Sequence, residues 1–357
     1  MLKRFTIPIL SLLLFSYCSQ EKPEIRVVCE TTATGNFLIK WETFPPIKGL
    51  VKIYESSNPD SFNIAFPIAE TEINKGFSSV LSVRTFGRSY FKLVFDDKYS
   101  VITAERIVPM QFLYNFRDLG GYYNDKARQT QWGKLYRSSS LSPAGLHDIR
   151  KLDNLEIRTI IDFRTEKESS DSPCKYTKAK IVNLPLRCKT QTLFLHKILS
   201  KEMRTGDVIV ALQDATASLL VDNPDYFSEM FDILLDAENY PIVVNCATGK
   251  DRSGIAAALI LAALDVDWED IIRDFLLSNN LINYNLVDPF MSANMELYNE
   301  DPDVQETMTT MLRVHKTTIS WAFEIVKKKY GSIDNYLEQE LKLTHKKREK
   351  LKEIMLY

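Results

Sequence analysis

Residues 240–254 read Tyr-Pro-Ile-Val-Val-Asn-Cys-Ala-Thr-Gly-Lys-Asp-Arg-Ser-Gly, and they pass without a break into the apolar run Ile255–Leu264. The apolar residues Ile242–Val244 predict a short buried strand, and the Ala- and Leu-rich run predicts a buried helix. A tight loop that begins with Cys246 and ends with Arg252 joins the two. The segment therefore predicts a strand, a loop and a helix in succession, with a thiol and a guanidinium at the two ends of the loop.

The loop has the composition of an anion-binding site. Successive backbone N–H groups that point inward at a helix N-terminus hold a tetrahedral anion, and the helix dipole adds to the attraction. The same positive field favours the nucleophilic thiolate form of a cysteine such as Cys246. Arg252 lies six positions further on and can bind two phosphate oxygens at once. The alternative is a buried structural cysteine beside an ordinary strand-to-helix turn.

Length and composition limit the other classes of function. The chain has 357 residues, which predicts two domains. Lys and Arg total 45 against 47 Asp and Glu, so the net charge of −2 gives no reason to expect a nucleic-acid partner. Only four His occur, and no Cys/His cluster has zinc spacing. We therefore predict neither a metal nor a cofactor.

The N-terminus predicts export. Met1–Phe15 is a basic start followed by a short apolar stretch, which is typical of an export signal and too short for a comfortable membrane span. Cys18 follows and resembles the acylated cysteine of bacterial lipoproteins, although Tyr17 stands where a small residue is usual. We expect residues 1–18 to be a signal peptide. The protein would then reside in the cell envelope, either lipid-anchored through Cys18 or free in the periplasm after simple cleavage.

Residues 24–110 have the pattern of a small β-sandwich. Short runs rich in β-branched and aromatic residues alternate with turn signals such as Pro45-Pro46 and Asn58-Pro59. The predicted strands are Ile25–Val28, Phe37–Trp41, Leu50–Tyr54, Tyr90–Phe95 and Tyr99–Val108. The segment loosely resembles immunoglobulin-like or fibronectin type III modules. No titratable constellation stands out in it, so we expect a spacer or a module that docks a protein partner.

Residues 111–357 alternate between strands and helices, which predicts an α/β domain with a central, mostly parallel sheet flanked by helices. A ligand then binds outside the carboxyl ends of the strands, where Cys246 lies. The strand Ile157–Phe163 precedes that of the loop, and residues 190–220 give no clear assignment. The predicted helices are Pro143–Leu152 with Ser142 as its N-cap, Tyr226–Leu235, Trp268–Leu277, Pro289–Tyr298, Thr318–Tyr330 and a short one near Ser332–Leu337.

Four motifs occur in order along this second domain. They are Asn115-Phe-Arg-Asp-Leu-Gly-Gly, Asp162-Phe-Arg-Thr-x-x-Glu168, Cys246-Ala-Thr-Gly-Lys-Asp-Arg-Ser-Gly and Tyr330-Gly-Ser-Ile-Asp-Asn-Tyr-Leu337. Together they resemble the bacterial tyrosine phosphatase family, whose members include secreted dual-specificity and phosphoinositide phosphatases. The resemblance covers residues 110–357 and implies a fold like that of protein tyrosine phosphatases.

The resemblance implies a two-step reaction in which Cys246 attacks phosphorus and Arg252 holds the phosphate oxygens. Asp251 is the implied general acid, and Asp214 is the alternative, although it also fits a helix cap or a surface charge. The predicted phosphate-binding residues are Ala247, Thr248, Gly249, Lys250, Asp251 and Arg252, and the supporting residues are Asn245, Ser253, Asp162 and Arg164. Asn245 replaces the His that usually precedes the nucleophile, and its amide offers both a donor and an acceptor.

Several alternatives remain open from the sequence. Lys250 can neutralise a second phosphate, so a phosphoinositide substrate stands beside a phosphorylated protein, and a phosphate-binding protein without turnover is a third reading. Asp162 and Arg164 either reach the site or pin the loop through an ion pair. Asp118 and Arg137 are expected to fix turns and hydrogen bonds within the domain. Cys174 and Cys188 form a disulfide or remain buried free thiols.

Overall fold

The computed structural model describes residues 23–81, 87–187, 196–282 and 301–357. The predicted signal peptide with Cys18, the predicted helix Pro289–Tyr298 and Cys188 lie outside these residues. In the described part of the chain, no helix is both long and apolar enough to cross a bilayer.

The N-terminal part is all-β, as its sequence predicts. Its strands are β1 (Glu24–Thr31), β2 (Phe37–Phe44), β3 (Leu50–Ser56), β4 (Ala69–Glu72), β5 (Phe77–Val80), β6 (Tyr90–Phe95) and β7 (Tyr99–Ala104), with a 3₁₀ turn at Ile73–Lys75. They form a three-stranded sheet in the order β1-β2-β5 and a four-stranded sheet in the order β4-β3-β6-β7. The two sheets share one core, in which Trp41 of β2 lies 6.1 Å from Phe95 of β6, measured between ring centroids.

The second part is built on a five-stranded sheet. Its strands are β8 (Arg117–Asp118), β9 (Leu135–Ser138), β10 (Thr159–Asp162), β11 (Lys180–Asn183) and β12 (Ile242–Asn245), in the order β11-β10-β12-β9-β8. All neighbouring pairs are parallel except β8 with β9. The predicted mostly parallel sheet is therefore confirmed, with β12 at its centre.

Helices cover this sheet. They are α1 (Leu146–Asn154), α2 (Glu166–Asp171), α3 (Thr205–Asp222), α4 (Pro224–Leu234), α5 (Arg252–Ala263), α6 (Trp268–Leu281), α7 (Pro302–Leu312), α8 (Lys316–Tyr330), α9 (Ile333–Asn335) and α10 (His345–Met355), with a 3₁₀ turn at Ala237–Asn239 and a π-helical turn at Tyr336–Glu340. Side chains alternate along each strand. Ile242 and Val244 consequently pack in the core that contains α5, whereas Val243 packs in a second core with Leu152 of α1.

Helix α5, which follows the Cys246 loop, is the most deeply buried helix segment near the site. Every residue of it except Arg252 and Ala262 is buried, as its apolar sequence predicts. Gly254 in its first turn has no room for a side chain, because an added Cβ would lie 2.5 Å from the NH2 group of Arg137 and 2.8 Å from the ring of Phe275. The small residue in the loop motif therefore lets Arg137 pass over the start of the helix.

Two local predictions differ from the structure. Helix α1 begins at Leu146 with Gly145 as its N-cap, so the predicted N-cap Ser142 is wrong. The Ser142 hydroxyl instead donates to the Ser172 carbonyl and accepts from NH1 of Arg164 at 2.9 Å. Residues 205–222, which the sequence leaves unassigned, form α3. Asp214 lies exposed in the middle of that helix, where it cannot act as a cap.

Candidate active site

The Cys246 loop lies at the carboxyl end of β12, between that strand and the N-terminus of α5. Cys246 is only 2% exposed, and its Sγ lies 3.4 Å from the hydroxyl oxygen of Ser253. Ser253 belongs to the first turn of α5, so the hydroxyl approaches the sulfur from the helix side. The predicted nucleophile and one predicted supporting residue are therefore in contact.

The loop carbonyls are bound from outside the loop. The side-chain amide of Asn115 donates to the carbonyls of Gly249 at 2.8 Å and Thr248 at 3.3 Å. The Arg137 guanidinium donates to the carbonyls of Gly249 at 3.0 Å and Lys250 at 2.7 Å. The carbonyl of Ala247 accepts from the backbone N–H of Ser140 at 3.1 Å. Four consecutive carbonyls are thus held on the outer side.

The backbone N–H groups of the same residues are left for a ligand. Across the described ranges, no protein acceptor receives a hydrogen bond from the N–H groups of residues 247–250. Gly249 makes this turn possible, because its φ is +71° and a Cβ there would lie 2.6 Å from the carbonyl carbon of Ser138. Such a series of N–H groups at a helix N-terminus binds anions.

A buried network of ions fixes the residues that hold the loop. Asp274 of α6 binds Arg137 at 2.7 Å and Arg117 at 2.9 Å, and all three side chains are essentially inaccessible to solvent. Burial alone would raise the pKa of Asp274, but the two guanidinium groups hold it well below its usual range. Burial and the neighbouring charge of Arg117 lower the pKa of Arg137 to about 10, so Arg137 is still charged at neutral pH. The predicted internal hydrogen-bonding role of Arg137 thus agrees with its contacts.

Glu168 belongs to the Asp162-Phe-Arg-Thr-x-x-Glu168 motif and is a site residue whose role the sequence does not indicate. Its two carboxylate oxygens accept from NH1 of Arg252 at 2.6 Å and from NH2 at 2.8 Å. Glu168 is also the third residue of α2, where it forms a capping box with Thr165. The bidentate pair holds the guanidinium plane of Arg252 in one orientation. The spacing of Thr165 and Glu168 in the motif indicates a helix cap. The ion pair with Arg252 cannot be predicted from this spacing, because Arg252 lies 84 positions away.

Partial burial alone would raise the pKa of the Glu168 carboxyl, but the hydrogen bonds and charge of Arg252 outweigh it and lower the pKa to about 2. The carboxylate is therefore ionised throughout the physiological pH range. As a permanent anion beside Arg252, Glu168 acts as an orienting partner and is not suited to donate a proton.

A buried polar cluster lies at the ends of β10 and β12 and contains Asp162, Arg164 and Asn245. The Arg164 guanidinium binds the Asp162 carboxylate at 2.7 Å, and it also donates to the Ser172 carbonyl at 2.7 Å. Asp162 accepts from the amide Nδ2 of Asn245 at 3.2 Å. The amide Oδ1 of Asn245 is buried and has no partner among the residues that the structure describes. The ion pair between Asp162 and Arg164 is therefore formed, and Asp162 joins the end of β10 to Asn245 at the end of β12.

The side chain of Lys250 extends from the Cys246 loop to the end of α7. Its Nζ donates to the carbonyls of Leu312 at 2.9 Å and Met311 at 3.3 Å, at the C-terminal end of α7. A cation there compensates the negative end of the helix dipole. Because the side chain is only 2% exposed, its charge serves to join the loop to α7. The ammonium group that the sequence offers to a second phosphate is therefore engaged with the end of α7.

The two candidate acids have different surroundings. Asp251 is the N-cap residue of α5, directly beside Arg252, and its carboxylate lies 3.6 Å from Nζ of Lys250 with 26% of the side chain exposed. Asp214 lies exposed on α3. Of the two, Asp251 is the carboxylate that belongs to the loop.

Cys29 and Cys174 are the other two cysteines within the described residues. Cys29, in the β-sandwich, and Cys174 are free thiols, and burial raises the pKa of both. Within residues 23–81, 87–187, 196–282 and 301–357, no group of three or more His, Cys, Asp or Glu side chains could hold a metal ion.

Comparison with known proteins assigns the chain to a family. The model of the tyrosine phosphatase family matches residues 108–357, which is more than half of the sequence, so the chain belongs to that family. It is a phosphatase, as its motifs predict. A protein named as a tyrosine-protein phosphatase in Cupriavidus necator is 29% identical over 234 residues, covering 64% of this chain and 82% of the relative.

A second relative is the triple specificity protein phosphatase PtpB of Mycobacterium tuberculosis, which is 25% identical over 261 residues, covering 63% of this chain and 90% of the relative. Among solved structures, the core catalytic domain of the PP-IP phosphatase SIW14 of S. cerevisiae matches with 14% identity and a TM-score of 0.29, over 58% of this chain and 99% of its own. TpbA of P. aeruginosa in complex with pTyr matches with 14% identity and a TM-score of 0.23, over 52% and 89%.

The Glu168–Arg252 pair predicts a pH-dependent contribution to stability. Since the folded pKa of Glu168 is lowered from 4.5 to about 2, the stabilisation is present above pH 4.5 and is lost as the pH falls towards 2. We expect Glu168→Gln to lower the free energy of unfolding at pH 7 by about 1 kcal/mol, a value reduced by solvent screening of the 36% exposed carboxylate.

The difference between wild type and Glu168→Gln should shrink when urea unfolding is repeated at decreasing pH. Glu238→Gln, at a carboxylate that is 89% exposed, is the matched control and should show little difference at any pH. A wild-type advantage over Glu168→Gln that stayed constant down to the acid limit would contradict the role of this pair.

Proposed function

We propose that the protein hydrolyses phosphotyrosine residues of proteins, with Cys246 as nucleophile, through a phosphocysteine intermediate. The observation that carries this proposal is the outward anchoring of the loop carbonyls, which leaves the N–H groups of residues 247–250 beside Cys246 and Arg252. That arrangement suits a phosphoryl group with three equatorial oxygens. Its membership of the tyrosine phosphatase family supports the same chemistry.

In the first step, the thiolate of Cys246 attacks phosphorus in line with the ester oxygen. A sulfur–phosphorus bond forms, the phosphorus–oxygen ester bond breaks, and the electron pair stays with the leaving oxygen. The loop N–H groups and Arg252 hold the equatorial oxygens while charge redistributes. Asp251 in its acid form donates a proton to the leaving oxygen, so that the alcohol departs neutral.

In the second step, water attacks the phosphocysteine. The ionised Asp251 accepts a proton from the water, the new phosphorus–oxygen bond forms, and the sulfur–phosphorus bond breaks with its electron pair on Cys246. Ser253, whose hydroxyl oxygen lies 3.4 Å from the sulfur, is placed to donate a hydrogen bond to the departing thiolate. Inorganic phosphate then leaves the loop.

The surroundings of Lys250 favour a substrate with one phosphate over a phosphoinositide with several. Its ammonium group already binds the end of α7 through Met311 and Leu312, which leaves Arg252 as the loop cation directed to the phosphoryl group. Phosphoinositide hydrolysis is the second candidate for this chain, because Lys250 brings a second cation into the loop sequence.

The parts outside the phosphatase domain have proposed roles of their own. The arrangement of three and four antiparallel strands supports an immunoglobulin-like or fibronectin type III-like sandwich at residues 24–110. The basic and apolar N-terminus supports export to the cell envelope, with Cys18 as a lipid anchor. No nucleic-acid partner is proposed, because the overall charge is close to balanced.

A substrate panel tests the proposed function. We expect turnover of phosphotyrosine peptides with kcat/KM on the order of 10⁴ M⁻¹s⁻¹ or more, and loss of turnover in Cys246→Ser. Phosphoinositide vesicles should be hydrolysed at least about tenfold less efficiently, since discrimination of that size needs only 1.4 kcal/mol. The measurement is phosphate release by wild type, Cys246→Ser and Lys250→Met.

Lys250→Met serves to decide between the two substrate classes. If this Lys binds only α7, the substitution should change hydrolysis of phosphopeptide and phosphoinositide by similar factors. A selective loss of phosphoinositide hydrolysis would instead assign the ammonium group to a second phosphate. Turnover that survives in Cys246→Ser would contradict the proposed mechanism for every substrate.

The general acid is tested with leaving groups of different basicity. We expect Asp251→Asn to slow the single-turnover cleavage of an alkyl or phenyl phosphate by about 10²-fold or more, because a basic oxygen must be protonated as it leaves. Cleavage of p-nitrophenyl phosphate, whose leaving group is weakly basic, should fall much less. Asp214→Asn is the matched control, and a rate that falls in this variant but not in Asp251→Asn would reverse the assignment.

A further inference from the structure

Strand β8 lies between the phosphatase sheet and the chain that arrives from the β-sandwich. On one side it pairs with β9. On the other side, residues 106–108 run along it, with a bridge between Ile107 and Arg117 and a hydrogen bond from the N–H of Val108 to the Phe116 carbonyl at 3.2 Å. The edge of the phosphatase sheet is therefore covered by the segment that leaves β7.

Asp118 of β8 is fully buried and receives its charged partner from the β-sandwich. Its carboxylate accepts from the backbone N–H groups of Gly120 at 2.7 Å and Gly133 at 2.8 Å. The NH2 group of Arg88 lies 3.0 Å from the same carboxylate. Arg88 lies two positions before the first residue of β6 and outside residues 108–357, the range that matches the phosphatase family.

Aromatic rings from both domains enclose the Arg88 guanidinium. Its central carbon lies 5.1 Å from the ring centroid of Tyr90, 5.6 Å from that of Tyr136 and 5.9 Å from that of Trp132. The Nε and NH1 atoms of Arg88 have no hydrogen-bond partner among the residues described by the structure. The NH2 group also donates to the Glu105 carbonyl at 2.8 Å. An arginine so enclosed interacts with the faces of the rings and with the Asp118 carboxylate.

Arg106 reinforces the same junction. Its NH1 donates to the carbonyls of Asp118 at 2.9 Å and Gly120 at 2.7 Å, and its guanidinium lies 3.9 Å from the ring centroid of Tyr122. Arg106 follows β7 and also precedes the family match. Two cations from outside the phosphatase region therefore contact β8 and the residues that follow it.

The segment that carries Asp118 also carries two residues that hold the loop. Asn115 donates to the carbonyls of Thr248 and Gly249, and Arg117 binds Asp274, which in turn binds Arg137. Consecutive residues of a strand point to opposite sides, so Arg117 faces this network while Asp118 faces Arg88. A shift of β8 at its Asp118 side would therefore move the donors that shape the loop.

We propose that the β-sandwich is a positioning element of the active site, which acts through Arg88 on Asp118 and so on the Asn115 and Arg117 contacts. This proposal rests on the proposed function of the loop, but it concerns the geometry of the loop and not its chemistry. The sandwich is then an integral part of the catalytic framework, in addition to any partner that its outer faces bind.

The test compares Arg88→Met with Lys52→Met in the full-length protein. Lys52 binds Asp97, whose side chain is 72% exposed, so its loss removes one cation from the same sandwich without leaving a buried anion. We expect Arg88→Met to lower kcat for p-nitrophenyl phosphate about tenfold at a temperature well below its Tm, because small displacements of reacting groups cost rate. Lys52→Met should retain wild-type kcat.

Hydrogen exchange tests the positioning role of the β-sandwich independently of the catalytic role of Cys246. Amides of residues 246–252 should exchange about tenfold faster in Arg88→Met than in wild type, because loss of a positioning contact favours local opening. Arg88→Lys, which keeps the charge beside Asp118, should restore most of the kcat and the slow exchange. If the catalytic assignment of Cys246 failed, the exchange result would still stand.

Arg88→Met leaves the buried Asp118 carboxylate without this ion-pair partner and could unfold the protein. The double variant Arg88→Met/Asp118→Asn removes both charges of the pair. We expect this variant to fold and to keep both the lowered kcat and the faster loop exchange. Wild-type kcat and wild-type exchange at residues 246–252 in folded Arg88→Met or in folded Arg88→Met/Asp118→Asn would overturn the proposal.

Discussion

The active site depends on the hydrogen bonds that pull the loop carbonyls outward. Arg137 and Asn115 supply them for three consecutive residues, Thr248 to Lys250, and the N–H groups of residues 247–250 are left to bind an anion. Arg137 can take this fully buried position only because Asp274 compensates its charge. Removing one member of a buried ion pair costs about 3–5 kcal/mol of stability. Loss of Asp274 or Arg137 would therefore also remove the hydrogen bonds that shape the loop.

The sequence alone predicts the strand, the loop and helix α5, since apolar runs and the Cys246-to-Arg252 spacing are local features. It does not predict which distant groups complete the site. Glu168 and Asp274 reach their arginines across 84 and 137 positions, and nothing in local spacing records such a pairing. Lys250 has a charge suited to a phosphate, yet the fold brings the end of α7 within its reach. The sequence does not predict helix α3, because the helix depends on tertiary packing. Its buried residues, which include Val208 and Leu212, pack against residues from distant parts of the chain.

The two domains are joined more closely than their sequences suggest. Periodicity predicts strands in the first part of the chain and alternating strands and helices in the second, and the structure has antiparallel sheets in the first and a mostly parallel sheet in the second. A spacer role for the first part follows naturally from that division. The structure instead places Arg88 and Arg106 against β8, with Tyr90 and Trp132 packed in one small core between the domains. The path from the sandwich to the loop then runs through Asp118 and Asn115, which lie three positions apart in one segment.

The most direct test of the account is the binding of inorganic phosphate when the outward anchor is removed without disturbing the backbone. Asn115 has a φ of +59°, which glycine adopts without strain, so Asn115→Gly deletes the amide and keeps the conformation. Calorimetry should compare Cys246→Ser with Cys246→Ser/Asn115→Gly. The account predicts about tenfold weaker phosphate binding in the double variant, corresponding to the loss of about 1.4 kcal/mol of hydrogen bonding. Equal phosphate affinity in the two folded proteins would contradict it.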